Sequence, residues 1–159
     1  MSPMQAISGK ARDMSGEKTS VAKWGAEAIA AGFTVVPNHL ISINQFVDEE
    51  KQLSPTEMLV ILQILVVWWS KDRAPFPSKA TIAQRAGLSP RQVQRALTSL
   101  EKKTYIQRIT RFSTNRARTS NEYNLQGLTS IIAEAAKAHP HAFKGKAASE
   151  TKSNTDGEL

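Results

Sequence analysis

Ser78-Lys79-Ala80-Thr81-Ile82-Ala83-Gln84-Arg85-Ala86-Gly87-Leu88-Ser89-Pro90-Arg91-Gln92-Val93-Gln94-Arg95-Ala96-Leu97-Thr98-Ser99-Leu100 is the stretch that decides the fold. Ser78 suits a helix N-cap, and Gly87 is a natural stop after Ala86, so a short helix is expected between them. Leu88 reads as a buried turn residue. Ser89-Pro90-Arg91-Gln92 then starts a second helix, with Ser at the cap, Pro at the first helical position and Gln three residues on. That helix is expected to reach Lys103. Val93, Ala96, Leu97 and Leu100 recur at three- and four-residue spacing and form its inner stripe.

Upstream, Ser54-Pro55-Thr56-Glu57 has the pattern of another capping box. It opens an almost continuously apolar run, Met58 to Trp69, broken only by Gln63. The expected helix runs to about Ser70 and is apolar nearly all round. Arg73-Ala74-Pro75-Phe76-Pro77 is a non-helical connector. Downstream, Tyr105–Phe112 and Thr119–Leu125 read as strands joined by the polar turn Ser113-Thr114-Asn115-Arg116-Ala117-Arg118, which makes a basic hairpin. Leu128–Ala138 reads as a last helix. Nearer the N-terminus, Phe33–Ile43 reads as an extended lead-in, Asn44–Gln52 as a short amphipathic helix and Val21–Ala31 as a short helix. The expected organisation is a flexible N-terminal tail over 1–32, one domain over 33–138 and a disordered tail over 139–159.

Charge is concentrated in one place. The chain of 159 residues has a net charge of +7. Residues 70–125 hold twelve Lys/Arg against three Asp/Glu, more than the whole excess. A basic surplus confined to one module suggests a polyanion partner. The order of elements is helix, short helix, glycine turn, second short helix and basic hairpin. That is the plan of a winged helix-turn-helix domain, mainly α with a small β-hairpin. In it, the helix after the turn anchors one face in the core and offers the other to the major groove. Arg91, Gln92, Gln94 and Arg95 lie off the inner stripe. Arg donates twice to guanine, and Gln pairs bidentately with adenine. Ser78, Lys79 and Ser89 stand at helix N-termini, where free N–H groups favour phosphate. Arg111, Asn115, Arg116 and Arg118 belong to the hairpin and suit phosphate or minor-groove contact. The same residues have plainer readings. Arg and Gln are good helix formers on any solvated face, and hairpin arginines keep an exposed edge strand from pairing.

Three runs carry a resemblance: Pro75-Phe76-Pro77-Ser78-Lys79-Ala80-Thr81-Ile82-Ala83; Gly87-Leu88-Ser89-Pro90-Arg91-Gln92-Val93-Gln94-Arg95 with Leu100-Glu101-Lys102; and Asn121-Glu122-Tyr123-Asn124-Leu125. They resemble the short winged helix-turn-helix proteins of bacteria, their plasmids and phages, and more distantly GntR- and MarR-type regulators. The resemblance spans about residues 35–135. It implies sequence-specific binding of double-stranded DNA. One departure is Lys103-Thr104-Tyr105, which stands where such domains often turn on glycine.

These expectations exclude several chemistries. There is no cysteine, so disulfides, thiol catalysis and zinc-finger sites are out. His39, His139 and His141 suggest no metal site, and no cofactor is expected. The run Asp48-Glu49-Glu50 lacks a catalytic partner and reads as a solvated face. No enzyme is expected. No secretory signal is seen in the polar first twenty residues, and the apolar run is too short to span a bilayer. A cytoplasmic protein bound to nucleoid or plasmid is the expectation. The role expected first is a transcriptional regulator acting as a repressor. A plasmid or phage replication or partition protein and a protein-binding winged module are the alternatives. A homodimer is expected because one contact face cannot hide the helix over 55–70: some of Ile61, Leu65, Trp68 and Trp69 need a second cover, from the helices at Val21–Ala31 and Leu128–Ala138 of the same chain or from their copies in a partner.

Overall fold

The computed structural model describes residues 14–144. It divides into two compact units at Val35/Val36. The first unit holds α1 (Met14–Trp24) and α2 (Ala26–Ala31). Gly25 at φ 88° separates the two helices, and Gly32 at φ 126° ends the second. Helix therefore begins well before Val21.

The second unit contains α3 (Asn38–Ile41), two single 3₁₀ turns (Ile43–Gln45 and Glu49–Lys51), α4 (Pro55–Val66), α5 (Lys79–Ala86), α6 (Pro90–Lys102), β1 (Gln107–Ile109), β2 (Glu122–Asn124) and α7 (Gln126–Ala138). The architecture is mainly helical with one small antiparallel hairpin, paired Gln107 to Asn124, Arg108 to Tyr123 and Ile109 to Glu122. Helices α4, α5 and α6 pack on one another. Their fully buried side chains include Ile61, Ile64, Ile82, Val93, Leu97 and Leu100, joined by Tyr105, Tyr123 and Leu128. This is a winged helix-turn-helix arrangement.

The segment before α4 departs from expectation. Residues 38–41 are helical where an extended lead-in was expected, because Pro37 (φ −63°) presets the entry and Leu40 turns fully into the core. No single helix forms over 44–52. Instead, the Asn44 side chain donates to Leu53 O at 2.7 Å and accepts from Leu53 N at 2.6 Å, closing a compact loop that contains the second 3₁₀ turn. Local side-chain bonding of this kind competes with helix.

Helix α4 is shorter than its hydrophobic run. It ends at Val66, where Val67 N and Trp68 N bond three residues back, to Ile64 O and Leu65 O. Val66-Val67-Trp68-Trp69 is β-branched and aromatic, and such residues propagate a helix poorly. Ile61 and Leu65 are buried within the chain itself, at 1% and 7% exposure, so they need no second cover. Trp68 is half-buried against the same core. The Ser54 cap is made, with Ser54 Oγ accepting from Glu57 N at 3.2 Å. The reciprocal half of the expected capping box is not. The buried Glu57 carboxylate turns instead to Lys103 Nζ, at 2.9 and 3.0 Å. A cation with three donors outbids an exposed backbone amide for a buried carboxylate.

The turn after α6 explains the missing glycine. Thr104 sits at φ 67°, in the left-handed region. That conformation strains a β-branched residue by about 1–2 kcal/mol. Thr104→Gly should therefore raise stability by up to about 1 kcal/mol, a gain tempered by the backbone entropy of Gly. Urea unfolding checks this: a lower midpoint would show that Thr104 fits its turn.

Residues 139–144, read from the sequence as the start of a tail, pack against α3 and the turn that follows it. His39 Nε2 lies 2.9 Å from His139 O, and the Phe46 ring lies tilted against His139, centroids 5.0 Å apart, and edge-on to Phe143 at 5.9 Å. The rest of the expected tail, 145–159, lies outside the described residues, as do residues 1–13.

Candidate nucleic-acid interface

The central helix pair is built as its sequence implies. Ser78 Oγ accepts from Thr81 N at 3.0 Å and caps α5. Gly87 ends it at φ 67°, ψ 36°, the left-handed C-terminal stop. Ser89 then caps α6 with a complete capping box: Gln92 N donates to Ser89 Oγ at 3.1 Å, and Ser89 N donates to Gln92 Oε1 at 2.9 Å. Leu88, expected to be buried, is only half-buried against the core.

Val93, Ala96, Leu97 and Leu100 are all buried, which fixes the rotation of α6 about its axis. Arg91, Arg95 and Thr98 are left exposed on the opposite side. Lys102 is exposed on the same side. Positions 91, 95, 98 and 102 follow i, i+4, i+7 and i+11 spacing, one stripe of a helix. Lys102 is not among the DNA-contact candidates read from the sequence, although that spacing marks it. Gln94 is half-buried, and its amide lies 3.4 Å from Thr98 Oγ1.

The sequence-derived candidates are thus not equivalent. Gln92 is exposed, but its carbonyl oxygen is engaged in the cap. Bidentate pairing with adenine needs that oxygen as well as the amide N–H, so with the cap intact Gln92 has one lone pair of its oxygen committed and its orientation set by Ser89. Gln92 and Arg95 share a shallow groove of about 310 Å³ with Ser54 and Thr56 at the start of α4. Arg91 and Arg95 have no ion-pair partner among the described residues.

The hairpin sorts its arginines similarly. Arg111 Cζ lies 3.9 Å from the centre of the Phe76 ring, and its Nε is 4.0 Å from Glu122 Oε2. A guanidinium held between an aromatic face and a carboxylate is a hairpin brace. Asn115 shapes the turn: its side-chain oxygen accepts from Ala117 N at 3.2 Å and is hydrogen-bonded by Ser113 Oγ. Arg116 at φ 62° occupies the left-handed turn position. Arg116 and Arg118 are exposed. Lys79 and Arg118 line one groove of about 270 Å³ between the start of α5 and the hairpin.

The hairpin is tied to α6 at its base. Arg108 donates to Glu101 through its backbone N at 2.9 Å and its guanidinium at 3.1 and 3.3 Å. Those bonds hold the Glu101 carboxyl below the usual carboxylate range. On the other side Tyr123 N donates to Pro75 O at 2.9 Å, so the connector runs alongside β2. Among the described residues no three His, Cys, Asp or Glu side chains are grouped to hold a metal, and no helix is long and apolar enough to cross a membrane.

Residues 51–106 match a family described as a helix-turn-helix domain. The match runs from the 3₁₀ turn before α4 to the residue before β1, so it covers the three packed helices and stops short of the hairpin. No curated protein matches the chain in sequence. Among solved structures, the chain is similar to a possible transcriptional regulator from Methanosarcina mazei Go1. The identity is 13%, the TM-score is 0.41, and the alignment covers 78% of this chain and 98% of the other.

Proposed function

We propose that the chain, whose residues 51–106 match a family described as a helix-turn-helix domain, is a transcriptional regulator that binds double-stranded DNA in a sequence-specific way and represses by occupying its operator. One observation carries this reading. The helix after the Gly87 turn is anchored by four buried side chains and turns a stripe of Arg91, Arg95, Thr98 and Lys102 outward. Arg91 and Arg95 are the base readers, since guanidinium donates bidentately to guanine. Gln92 and Gln94 contribute single hydrogen bonds beside them. Ser78, Lys79 and Ser89 bind phosphate at the starts of α5 and α6. Genomic DNA capture followed by footprinting tests the reading. A protected site shared by the captured fragments is expected. Capture without a common sequence contradicts it.

The hairpin is the wing in this reading, with Arg116 and Arg118 reaching phosphate or minor groove and Asn115 shaping the tip. Arg116→Ala and Arg118→Ala should each flatten the dependence of log affinity on log salt by about one unit, alike on all sequences. Arg111→Ala should cost hairpin order more than salt dependence, because Phe76 and Glu122 hold that side chain. Salt titrations of the three variants check this. Wild-type slopes for both Arg116→Ala and Arg118→Ala would take the hairpin off the DNA.

A homodimer completes the proposal, on a different surface from that expected from the sequence. The outer face of α4 presents Thr56, Leu59, Leu62, Gln63 and Val66. Leu59 is 40% and Val66 39% exposed, and none of these five side chains carries a charge. An uncharged apolar stripe meets its own copy across a two-fold axis without like-charge repulsion. The two α6 helices then read half-sites about 34 Å apart. Sedimentation of wild type and of Leu59→Glu decides it: a dimer that the substitution splits is expected, and a monomer in both contradicts it.

A further inference from the structure

We propose that the chain carries a second nucleic-acid surface, a track for single-stranded DNA made by two depressions that share Pro77 in their walls. The first is a cleft of about 310 Å³ lined by Val67, Trp69, Arg73, Ala74, Phe76 and Pro77. Trp69 is 84% exposed and Phe76 47%, large values for side chains whose burial is strongly favoured. The second is the groove of about 270 Å³ where Lys79, Arg118 and Asn121 face one another beside Pro77. No residue of α6 lines either depression.

Two features select the occupant. Arg73, Lys79 and Arg118 line the track and no Asp or Glu does, so its charge complements a phosphate backbone. Trp69 and Phe76 offer ring faces, and only an unstacked base has a free face to lay on them. In a duplex those faces are covered by neighbouring base pairs. Single-strand binders combine a basic groove with aromatic platforms in this way. Arg111 already lies on one face of Phe76 at 3.9 Å, which leaves Trp69 as the main platform. Lys79 and Arg118 are also assigned to the duplex, so the cleft with Trp69 and Arg73 is the part of the track that belongs to the single strand alone.

The test is fluorescence anisotropy of the full chain with labelled single-stranded and duplex oligodeoxynucleotides at one salt concentration. Trp69→Ala should weaken single-strand binding about tenfold, the usual loss for one stacked base, and leave duplex binding within about twofold. Phe76→Leu should weaken the single strand less. Arg91→Ala/Arg95→Ala should do the reverse, losing duplex preference and keeping the single strand, so failure of either surface is read separately. Thermal melts confirm that the exposed Trp69 is replaced without unfolding. The proposal is overturned if Trp69→Ala leaves the single strand unchanged or weakens both DNAs equally. It is equally overturned if that substitution splits a dimer, or if an acidic peptide of equal charge displaces the oligonucleotide with higher affinity than the single strand itself.

Discussion

Gly127→Ala should destabilise the protein by about 3 kcal/mol or more, at the upper end of what overpacking costs. A Cβ on Gly127 would stand 1.9 Å from Thr104 O, 3.1 Å from Thr104 C and 3.3 Å from Tyr105 O. All three are backbone atoms, which cannot swing aside like the end of a side chain. The approach is close because the first turn of α7 docks on the turn after α6, where Leu128 N donates to Tyr105 O at 2.9 Å. Opening that contact would move β2, which ends only two residues before α7's first residue, and with it the hairpin. A drop of roughly 10 °C in melting temperature is expected for a unit of this size. Gly16→Ala is the control, since nothing lies within 4 Å of its added Cβ. Equal melting temperatures for Gly127→Ala and wild type would mean that α7 does not dock as described.

Lys103→Met should cost about 2–3 kcal/mol, somewhat below the usual penalty for breaking a buried pair. Lys103 Nζ bonds both oxygens of Glu57 and also Gln52 O at 2.7 Å. Removing it strands a carboxylate whose side chain is only 9% exposed, while Lys103 itself was 21% exposed and loses less. The discount from a fully buried pair follows from that partial exposure. The double variant Glu57→Met/Lys103→Met should recover most of the loss, because two apolar groups leave no charge unpaired. Chemical denaturation of the two single variants and the double one measures the coupling. Additive losses would show that the pair contributes nothing as a pair.

Both effects lie where the sequence is hard to read. Helices α5 and α6 are written locally: Ser78, Gly87, Ser89 and Gln92 act within three or four residues of themselves, and each does what its type and spacing imply. Glu57 sits at the right spacing for a capping box, yet its true partner is 46 residues away. Gly127 looks like an ordinary helical glycine until Thr104 is brought against it. Thr104 occupies a turn that glycine would fill more easily, so residue type points away from the conformation. The end of α4 is hidden by a hydrophobic run that continues past it, and the run also masks which residues are covered: Ile61 and Leu65 by the chain's own core, Trp69 by nothing described. At the candidate interface, the inner stripe of α6 is legible from apolar spacing alone, and Lys102 is legible once that stripe is extended. The engagement of Arg111 with Phe76 is not, because it depends on how the connector runs beside the hairpin.

The central claim is that the outward stripe of α6 reads DNA bases. It is tested most directly by measuring the affinity of wild type and of Arg91→Ala/Arg95→Ala for the best footprinted duplex and for a scrambled duplex of equal length, at one salt concentration. Wild type should prefer its own site by about a thousandfold or more. Each arginine removed should cost about 1–3 kcal/mol on that site and far less on the scrambled one, so that the preference collapses. Unchanged affinity and unchanged preference in the double variant would contradict the account.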